Sequence, residues 1–203
     1  QKLLDEGAVL YQDGKWNEAK TRYKEAYEKA PDDSALKAEA ALEWSSLLWE
    51  QGYYQAASNR VETALKLAKK LDMDQAVGRL LLTQGHIEAS LGDLSSAEST
   101  LQICTKMAEE QSDEVFSSLC ELNHRLVRQI RGRSVGPESE FKAAVKKLEK
   151  SGNPLAVGTS LAKTAELYEK NGQYERALGL LRKAQNKFQD AGSVPARRRN
   201  RLR

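Results

Sequence analysis

A short glycine-containing pattern recurs along the chain at a nearly constant interval. It reads Gly, any residue, a large apolar residue, two further residues and Ala, and it begins at Gly14, Gly52, Gly92 and Gly172. The first two starts are 38 residues apart, the next two 40 and the last two 80, which is two intervals. A fifth copy would begin at position 132, which is also a glycine. Because self-similarity at roughly 20–50 residues is typical of repeat arrays, we expect five units of similar size.

Each unit has the apolar spacing of two helices joined at the glycine. On both sides of the first pattern, apolar or small residues recur three or four positions apart, which places them on one face of each helix. The glycine between them ends the first helix and lets the chain reverse. Small residues such as Gly7, Ala19 and Ala26 stand where the two helices must approach closely. The sequence therefore predicts an all-α protein built from helical hairpins.

The first unit carries a specific set of residues at these positions: Gly7, Leu10, Gly14, Trp16, Ala19, Tyr23, Ala26 and Pro31. This set resembles the tetratricopeptide repeat (TPR), and the second, third and fifth units match it in the same register. The interval of 38–40 residues exceeds the usual TPR period of about 34, so the chain resembles the long-repeat variety of the family. The resemblance implies an α-solenoid, a right-handed superhelix of about five TPR-like hairpins, with a concave groove lined by the first helices.

The period divides the chain into five repeats and a tail. The fourth repeat is degenerate, because Pro137 stands where Ala is expected and a longer hairpin loop is predicted before it. Since the first residue is Gln1 rather than Met, we expect a piece of a longer protein. The expected repeats are 1–34, 35–74, 75–112, 113–152 and 153–192, and 193–203 is a basic tail or the start of a further repeat.

Charge is distributed unevenly. The chain carries net charge +3, but residues 1–100 hold 12 Lys and Arg against 17 Asp and Glu, whereas residues 101–203 hold 20 against 12. The basic half favours an acidic partner at the C-terminal end, and an ordinary solvated surface is the alternative. The arginines of the tail predict either a nuclear-import or nucleic-acid patch or the first turns of a sixth repeat.

Two cysteines are too few for a disulfide framework and favour a reducing compartment. Cys104 takes the place of a small residue in other repeats and is expected to be a packed core thiol. Cys120 and His124 share a helical face, but zinc needs three or four ligands, so we expect no metal and no cofactor. With no secretory signal and no apolar run near ~20 residues, the sequence favours an intracellular protein without a membrane span, in the cytoplasm or nucleus.

Sequence motifs of catalysis are missing. The chain has no phosphate loop, no Gly-x-Ser-x-Gly elbow and no His-Glu-x-x-His helix. We therefore expect a protein that is not an enzyme and has no small-molecule substrate.

The TPR resemblance implies that a peptide or helix of a partner protein lies in the groove. Trp49 and Tyr11 occupy equivalent positions in two repeats, and Trp49 is the strongest anchor candidate; the alternative is that Trp49 packs between adjacent hairpins. Glu39, Ser46 and Ser90 also fall on groove positions. The predicted contacts are Tyr11, Gln12, Trp49, Glu50, Arg79, Thr83 and His86.

A second candidate surface lies in the fourth repeat. Arg125, Arg128 and Arg131 recur at three-residue spacing, and lysines follow on the next helix. This basic patch would suit an acidic peptide or nucleic-acid phosphates, although no aromatic residue is interleaved to stack bases. A solvated helix face is the alternative.

Three functional hypotheses follow. The first is a protein-interaction scaffold or adaptor that binds a partner segment in the TPR groove. The second is a regulatory or sensory segment of a larger enzyme or DNA-binding regulator. The third, less favoured, is a basic module associated with nucleic acid.

Overall fold

A computed structural model describes residues 1–133, 138–150, 154–170 and 172–191. Within these ranges the chain forms ten α-helices and no strand, which confirms the all-α hairpin prediction. The helices are α1 Lys2–Gln12, α2 Trp16–Lys29, α3 Ala35–Glu50, α4 Tyr54–Lys70, α5 Asp74–Leu91, α6 Leu94–Glu110, α7 Glu114–Ile130, α8 Glu138–Glu149, α9 Pro154–Lys170 and α10 Tyr174–Asp190.

A left-handed glycine closes the first helix of every hairpin. After α1, the amide of Gly14 donates to the carbonyl of Tyr11 and the amide of Lys15 donates to that of Leu10, which is the Schellman arrangement. This turn requires a positive φ at the glycine, and residues other than glycine rarely adopt a positive φ. The five glycines have φ between +70° and +87°: Gly14, Gly52, Gly92, Gly132 and Gly172. The fourth repeat therefore keeps its turn glycine although the rest of its pattern is lost.

The turns between hairpins use the same conformation without glycine. Asp33, Asp72 and Ser112 have φ of +56°, +51° and +56°. Ser34 then caps α3 by accepting a hydrogen bond from the amide of Lys37 at 3.2 Å, as its position before the helix predicts. These turns recur at the repeat interval, so both ends of a hairpin are fixed by local backbone geometry.

The chain divides into two compact units, Gln1–Thr100 and Leu101–Arg203, and α6 runs across the division. In unit 1, α1 packs on α2, α2 on α3, and α3 on both α4 and α5. Tyr23 from α2 is 3% exposed, and its ring would lie 2.5 Å from a Cβ atom placed on Gly7. The small residue in α1 is therefore required by the close approach of the two helices.

An arginine joins three helices on the other side of the same hairpins. The guanidinium of Arg60 in α4 lies 4.3 Å from the ring centroid of Tyr27 in α2 and 4.2 Å from that of Trp44 in α3. Each contact has the geometry of a cation–π interaction. This cluster packs the first two hairpins together.

Unit 2 contains a disulfide that the sequence did not predict. Cys104 in α6 and Cys120 in α7 are both fully buried and are bonded to each other. The prediction that Cys104 is a packed core thiol is therefore wrong. The two helices are adjacent in the repeat order, so the two apolar core positions, 16 residues apart in sequence, face each other.

The second hairpin of unit 2 shows the same close approach as the first hairpin of the chain. A Cβ atom on Gly158 in α9 would lie 2.7 Å from the ring of Phe188 and 3.2 Å from the carbonyl oxygen of Ala184, both in α10. Gly179 in α10 has nothing within 4 Å of that position.

Replacing Gly158 with Ala is expected to lower the free energy of unfolding by about 1–3 kcal/mol, because the buried Phe188 ring cannot move aside. The matched change Gly179→Ala should raise the free energy of unfolding by about 0.5–1 kcal/mol, because alanine has a higher helix propensity than glycine and its methyl group meets no neighbour there. Urea denaturation followed by circular dichroism measures both. Equal effects of the two changes would contradict the packing.

Reducing the Cys104–Cys120 bond is expected to cost about 3 kcal/mol of stability, the magnitude for a closed loop of this length. Thermal unfolding with and without a dithiol reductant measures the shift. The Cys104→Ala, Cys120→Ala double variant should not respond to reductant. A wild-type chain with two free thiols after denaturation without reductant would contradict the bond.

Candidate functional site

The first helices of three successive hairpins, α1, α3 and α5, all lie within unit 1. On α3, Glu39, Glu43, Ser46 and Glu50 follow each other at spacings of four, three and four, which places them on one side of the helix. Together with Tyr11 of α1 and Arg79 of α5, they form a polar surface called here the first-helix face. It coincides with the surface for which the TPR resemblance predicts partner contacts.

Three contacts join α3 to α5 along this face. The carboxylate of Glu43 accepts from the guanidinium of Arg79 at 2.5 Å. One helical turn further along, the hydroxyls of Ser46 and Thr83 are 3.4 Å apart. The third contact joins Trp49 to Ser90, whose Oγ accepts from the indole Nε1 at 2.9 Å. The partners are 36, 37 and 41 residues apart, about one repeat, so neighbouring first helices lie in matching register.

One contact joins α1 to α3. The hydroxyl of Tyr11 lies 2.7 Å and 2.9 Å from the two carboxylate oxygens of Glu50, to which it donates. The phenol of Tyr23 is buried in the same unit, and its pKa is raised well above its usual value by burial and, further, by the charge of Glu43 and Glu50. Tyr23 therefore stays neutral and leaves the charge of the face to the carboxylates.

Trp49 does not lie on the surface. It is 1% exposed and stacks on the imidazole of His86, with ring centroids 4.9 Å apart and an interplanar angle of 27°. His86 is also buried, so the structure agrees with the alternative in which Trp49 packs between adjacent hairpins, and Trp49 is not a surface anchor. Successive residues of a helix point in different directions around its axis. Trp49 precedes Glu50 by one position and therefore points into the gap between α3 and α5 rather than outwards.

The other predicted contacts take different positions. Gln12 is exposed, Tyr11 and Glu50 are half-buried, and the Arg79 side chain is 55% exposed. Thr83 is buried, and its hydroxyl donates to the backbone carbonyl of Arg79 at 3.0 Å. Tyr11, Glu50 and Arg79 thus lie together on the face, whereas Thr83, Trp49 and His86 are buried behind it.

The paired arrangement was not predicted from the sequence, neither the Glu43–Arg79 pair nor the closeness of the buried Tyr23 phenol to Glu50. The interval between the second and third repeats is 40 residues, so the position equivalent to Glu43 is Thr83, and Arg79 lies one helical turn before it. Matching equivalent positions one repeat apart would therefore not have found this pair.

One arginine of the predicted basic patch is paired within unit 2. The Arg125 side chain is only 14% exposed, and its Nε lies 3.0 Å from the carboxylate of Glu121. Arg128 and Arg131 are half-buried in α7 and the turn that follows it. Lys146 and Lys147 of α8 are exposed, whereas the predicted hairpin loop and the arginine-rich tail fall largely or wholly outside the described residues.

Metal binding finds no support in the described part of the chain. No group of three or more His, Cys, Asp and Glu residues there could hold an ion. Cys120 is bonded to Cys104, so it offers no thiolate beside His124. Among the same residues, no helix is long and apolar enough to span a membrane.

The sequence matches no protein-family model, and no curated protein matches it either. Solved structures are similar in fold. A Rap protein complexed with competence and sporulation factor is 13% identical, with a TM-score of 0.65 over 98% of this chain and 60% of that one. A STAND signal transduction ATPase from Pyrococcus horikoshii, with a tetratricopeptide repeat sensor, is 18% identical, with a TM-score of 0.62 over 98% of this chain and 30% of that one.

A third similar structure contains the nearly identical TPR-like repeats of a Podosopora anserina protein. It is 14% identical, with a TM-score of 0.56 over 94% of this chain and 95% of that one. At these identities the likeness establishes the fold, and the predicted TPR-like helical-hairpin fold is confirmed. The chain spans less than two thirds of the Rap and STAND proteins that it matches.

Replacing Trp49 with Ala is expected to lower the free energy of unfolding by about 3–5 kcal/mol, because a fully buried indole is removed. The control is Tyr53→Ala, at an aromatic ring that is 54% exposed, where the loss should stay below about 1 kcal/mol. Chemical denaturation measures both variants. A Trp49→Ala variant as stable as the control would mean that the indole lies on the surface after all.

Proposed function

We propose that the chain is a protein-interaction scaffold whose first-helix face in unit 1 binds an extended or helical segment of a partner protein. One observation carries this proposal: four polar side chains of the face, those of Tyr11, Glu43, Glu50 and Arg79, are held by contacts between successive helices and yet remain partly exposed. Glu50 is oriented by Tyr11, and Arg79 by Glu43. Groups oriented before binding lose less conformational freedom on binding, so such a surface favours recognition.

The comparisons lend support at the level of fold. The similar Rap structure is described as a complex with competence and sporulation factor, and the similar STAND protein is described as carrying a tetratricopeptide repeat sensor. We extend a recognition role to the present chain, as a non-catalytic module of five repeats at the boundaries predicted from the period.

A regulatory or sensory role within a larger protein is the second candidate. This role is favoured because the chain matches only part of two larger proteins, 60% of the Rap protein and 30% of the STAND protein. In such a protein the scaffold would bind its segment and pass the signal to another domain. The two candidates share the same binding step.

Nucleic acid is the third and least supported partner. Arg125 of the predicted basic patch is mostly buried and faces Glu121, which weakens its attraction for phosphates. A binding affinity for nucleic acid that falls steeply with salt would support this role.

Photo-crosslinking from matched alanines tests the proposed face. Ala8 in α1 and Ala56 in α4 are both exposed, but only Ala8 lies on a first helix, three residues before Tyr11. A photoreactive amino acid at position 8 is expected to capture a partner protein from lysate of the source cells, and mass spectrometry should place the crosslink within one segment of it. The same group at position 56 should capture none of that partner.

Circular dichroism must first show that both labelled chains stay folded. Capture of the same partner at equal yield from both positions, or from position 56 alone, would contradict binding at the first-helix face.

A further inference from the structure

We propose that Arg60, which is held against the rings of Tyr27 and Trp44, binds a single carboxylate group, that of an Asp or Glu side chain in a segment of a partner protein. The site is formed by Tyr27 of α2, Lys37 and Trp44 of α3, and Arg60 of α4, and is called here the Arg60 cluster. It is a second recognition site of unit 1, and binding there does not require the first-helix face.

The positive charge of Arg60 has no counter-charge within unit 1. In the described part of the chain its guanidinium contacts the rings of Tyr27 and Trp44 but makes no hydrogen bond and no ion pair. The other two arginines of the unit, Arg22 and Arg79, each face a glutamate carboxylate. Because the 100 residues of unit 1 hold 17 Asp and Glu, the isolation of Arg60 does not come from a shortage of acidic residues.

Two N–H groups of the Arg60 cluster are buried without an acceptor. They are Nε of Arg60 and Nε1 of Trp44, and neither makes a hydrogen bond. Each of these residues is half-buried as a whole, so another part of its side chain reaches solvent. Since it is costly for a cation to lose water without gaining a partner, an anion that approaches the exposed part of Arg60 stabilises the site.

The two aromatic rings fix the guanidinium before a ligand arrives. Their centroids lie 4.3 Å and 4.2 Å from the central carbon of the Arg60 guanidinium and 5.8 Å from each other. A planar guanidinium presents its N–H donors in a rigid fork, which matches the two oxygens of a carboxylate. Because the fork is already oriented, less conformational freedom is lost when a carboxylate binds.

A second cation in the Arg60 cluster sets the charge of the ligand. The Nζ atom of Lys37 lies 5.1 Å from the centroid of the Tyr27 ring that Arg60 also contacts. The pKa of Lys37 is raised, chiefly by its hydrogen bond to Asp32, and the charge of Arg60 opposes that rise. Asp32 therefore balances Lys37, and one positive charge is left over, that of Arg60. One carboxylate balances this charge, whereas the acidic excess of unit 1 repels a doubly charged anion or an acidic run.

Nuclear magnetic resonance of the buried N–H groups tests the site in the wild-type chain. The probes are three pools of eleven-residue peptides, uncharged except at a fixed central residue, which is Glu, Gln or phosphoserine. The Glu pool is expected to shift the Arg60 Nε–H and Trp44 Nε1–H signals in a saturable way, and the Gln pool should not shift them. The Nε–H signal of Arg22, whose Nε already lies 3.2 Å from a carboxylate oxygen of Glu6, should stay in place.

Two substitutions at position 60 separate the charge from the shape of the guanidinium. By fluorescence anisotropy, Arg60→Met should bind the labelled Glu pool about fivefold more weakly, the fold-change of one partly exposed ion pair. Arg60→Lys keeps the charge but not the fork, so its affinity should lie between those of wild type and Arg60→Met. The matched control, Arg22→Met, removes the same charge from unit 1 and should leave the affinity unchanged.

Three results would overturn the proposal. The first is the absence of a saturable shift at Arg60 and Trp44, a result that needs no variant that could misfold. The second is an equal response at Arg22, in the spectrum or in the affinity of Arg22→Met, which would show attraction to overall charge. The third is tighter binding of the phosphoserine pool, which would replace the carboxylate with a phosphate. The Ala8 crosslink tests the first-helix face alone, so its outcome is independent of all three.

Discussion

The structure depends on one backbone constraint, the left-handed glycine that closes each first helix. At every hairpin the amides of the glycine and of the residue after it donate to the last carbonyls of the helix, so the chain leaves in one direction only. Most side chains at that position would strain the turn. Because the same turn recurs about every 40 residues, the second helices begin at equivalent points, and the hairpins of each unit are built to one plan.

That plan determines which side chains meet. Gly7 lets the ring of Tyr23 pack against α1, and the charge of Glu43 and Glu50 in α3 adds to the effect of burial in raising the pKa of that phenol. Residues of α3 meet residues of α5 that follow them by about one repeat. The polar face of unit 1 is thus a consequence of the repeat register: the contacts that hold neighbouring hairpins together also orient the groups that remain available to a partner.

The local pattern made the helices, the turn glycines and the hairpin order predictable, because each depends on residues close in sequence. The burial of Trp49 was not predictable in the same way. Trp49 and Glu50 are neighbours in the sequence, yet Trp49 points into the gap between two helices and Glu50 lies at the surface. The Cys104–Cys120 bond depends likewise on how two repeats stack, and two cysteines in different repeats carry no pairing signal of their own. The positive φ of Asp33, Asp72 and Ser112 could not be predicted, because no glycine at these positions signals it in the sequence.

The register of neighbouring first helices is the central claim, and a double-mutant cycle on Trp49 and Ser90 tests it most directly. Trp49→Phe removes the indole donor, and Ser90→Ala removes the acceptor that lies 2.9 Å from it. If the two helices are in the register described, the effects on the free energy of unfolding should be coupled by about 1 kcal/mol. Effects that add without coupling would show that the two side chains do not meet, and the arrangement of the first-helix face would then be wrong.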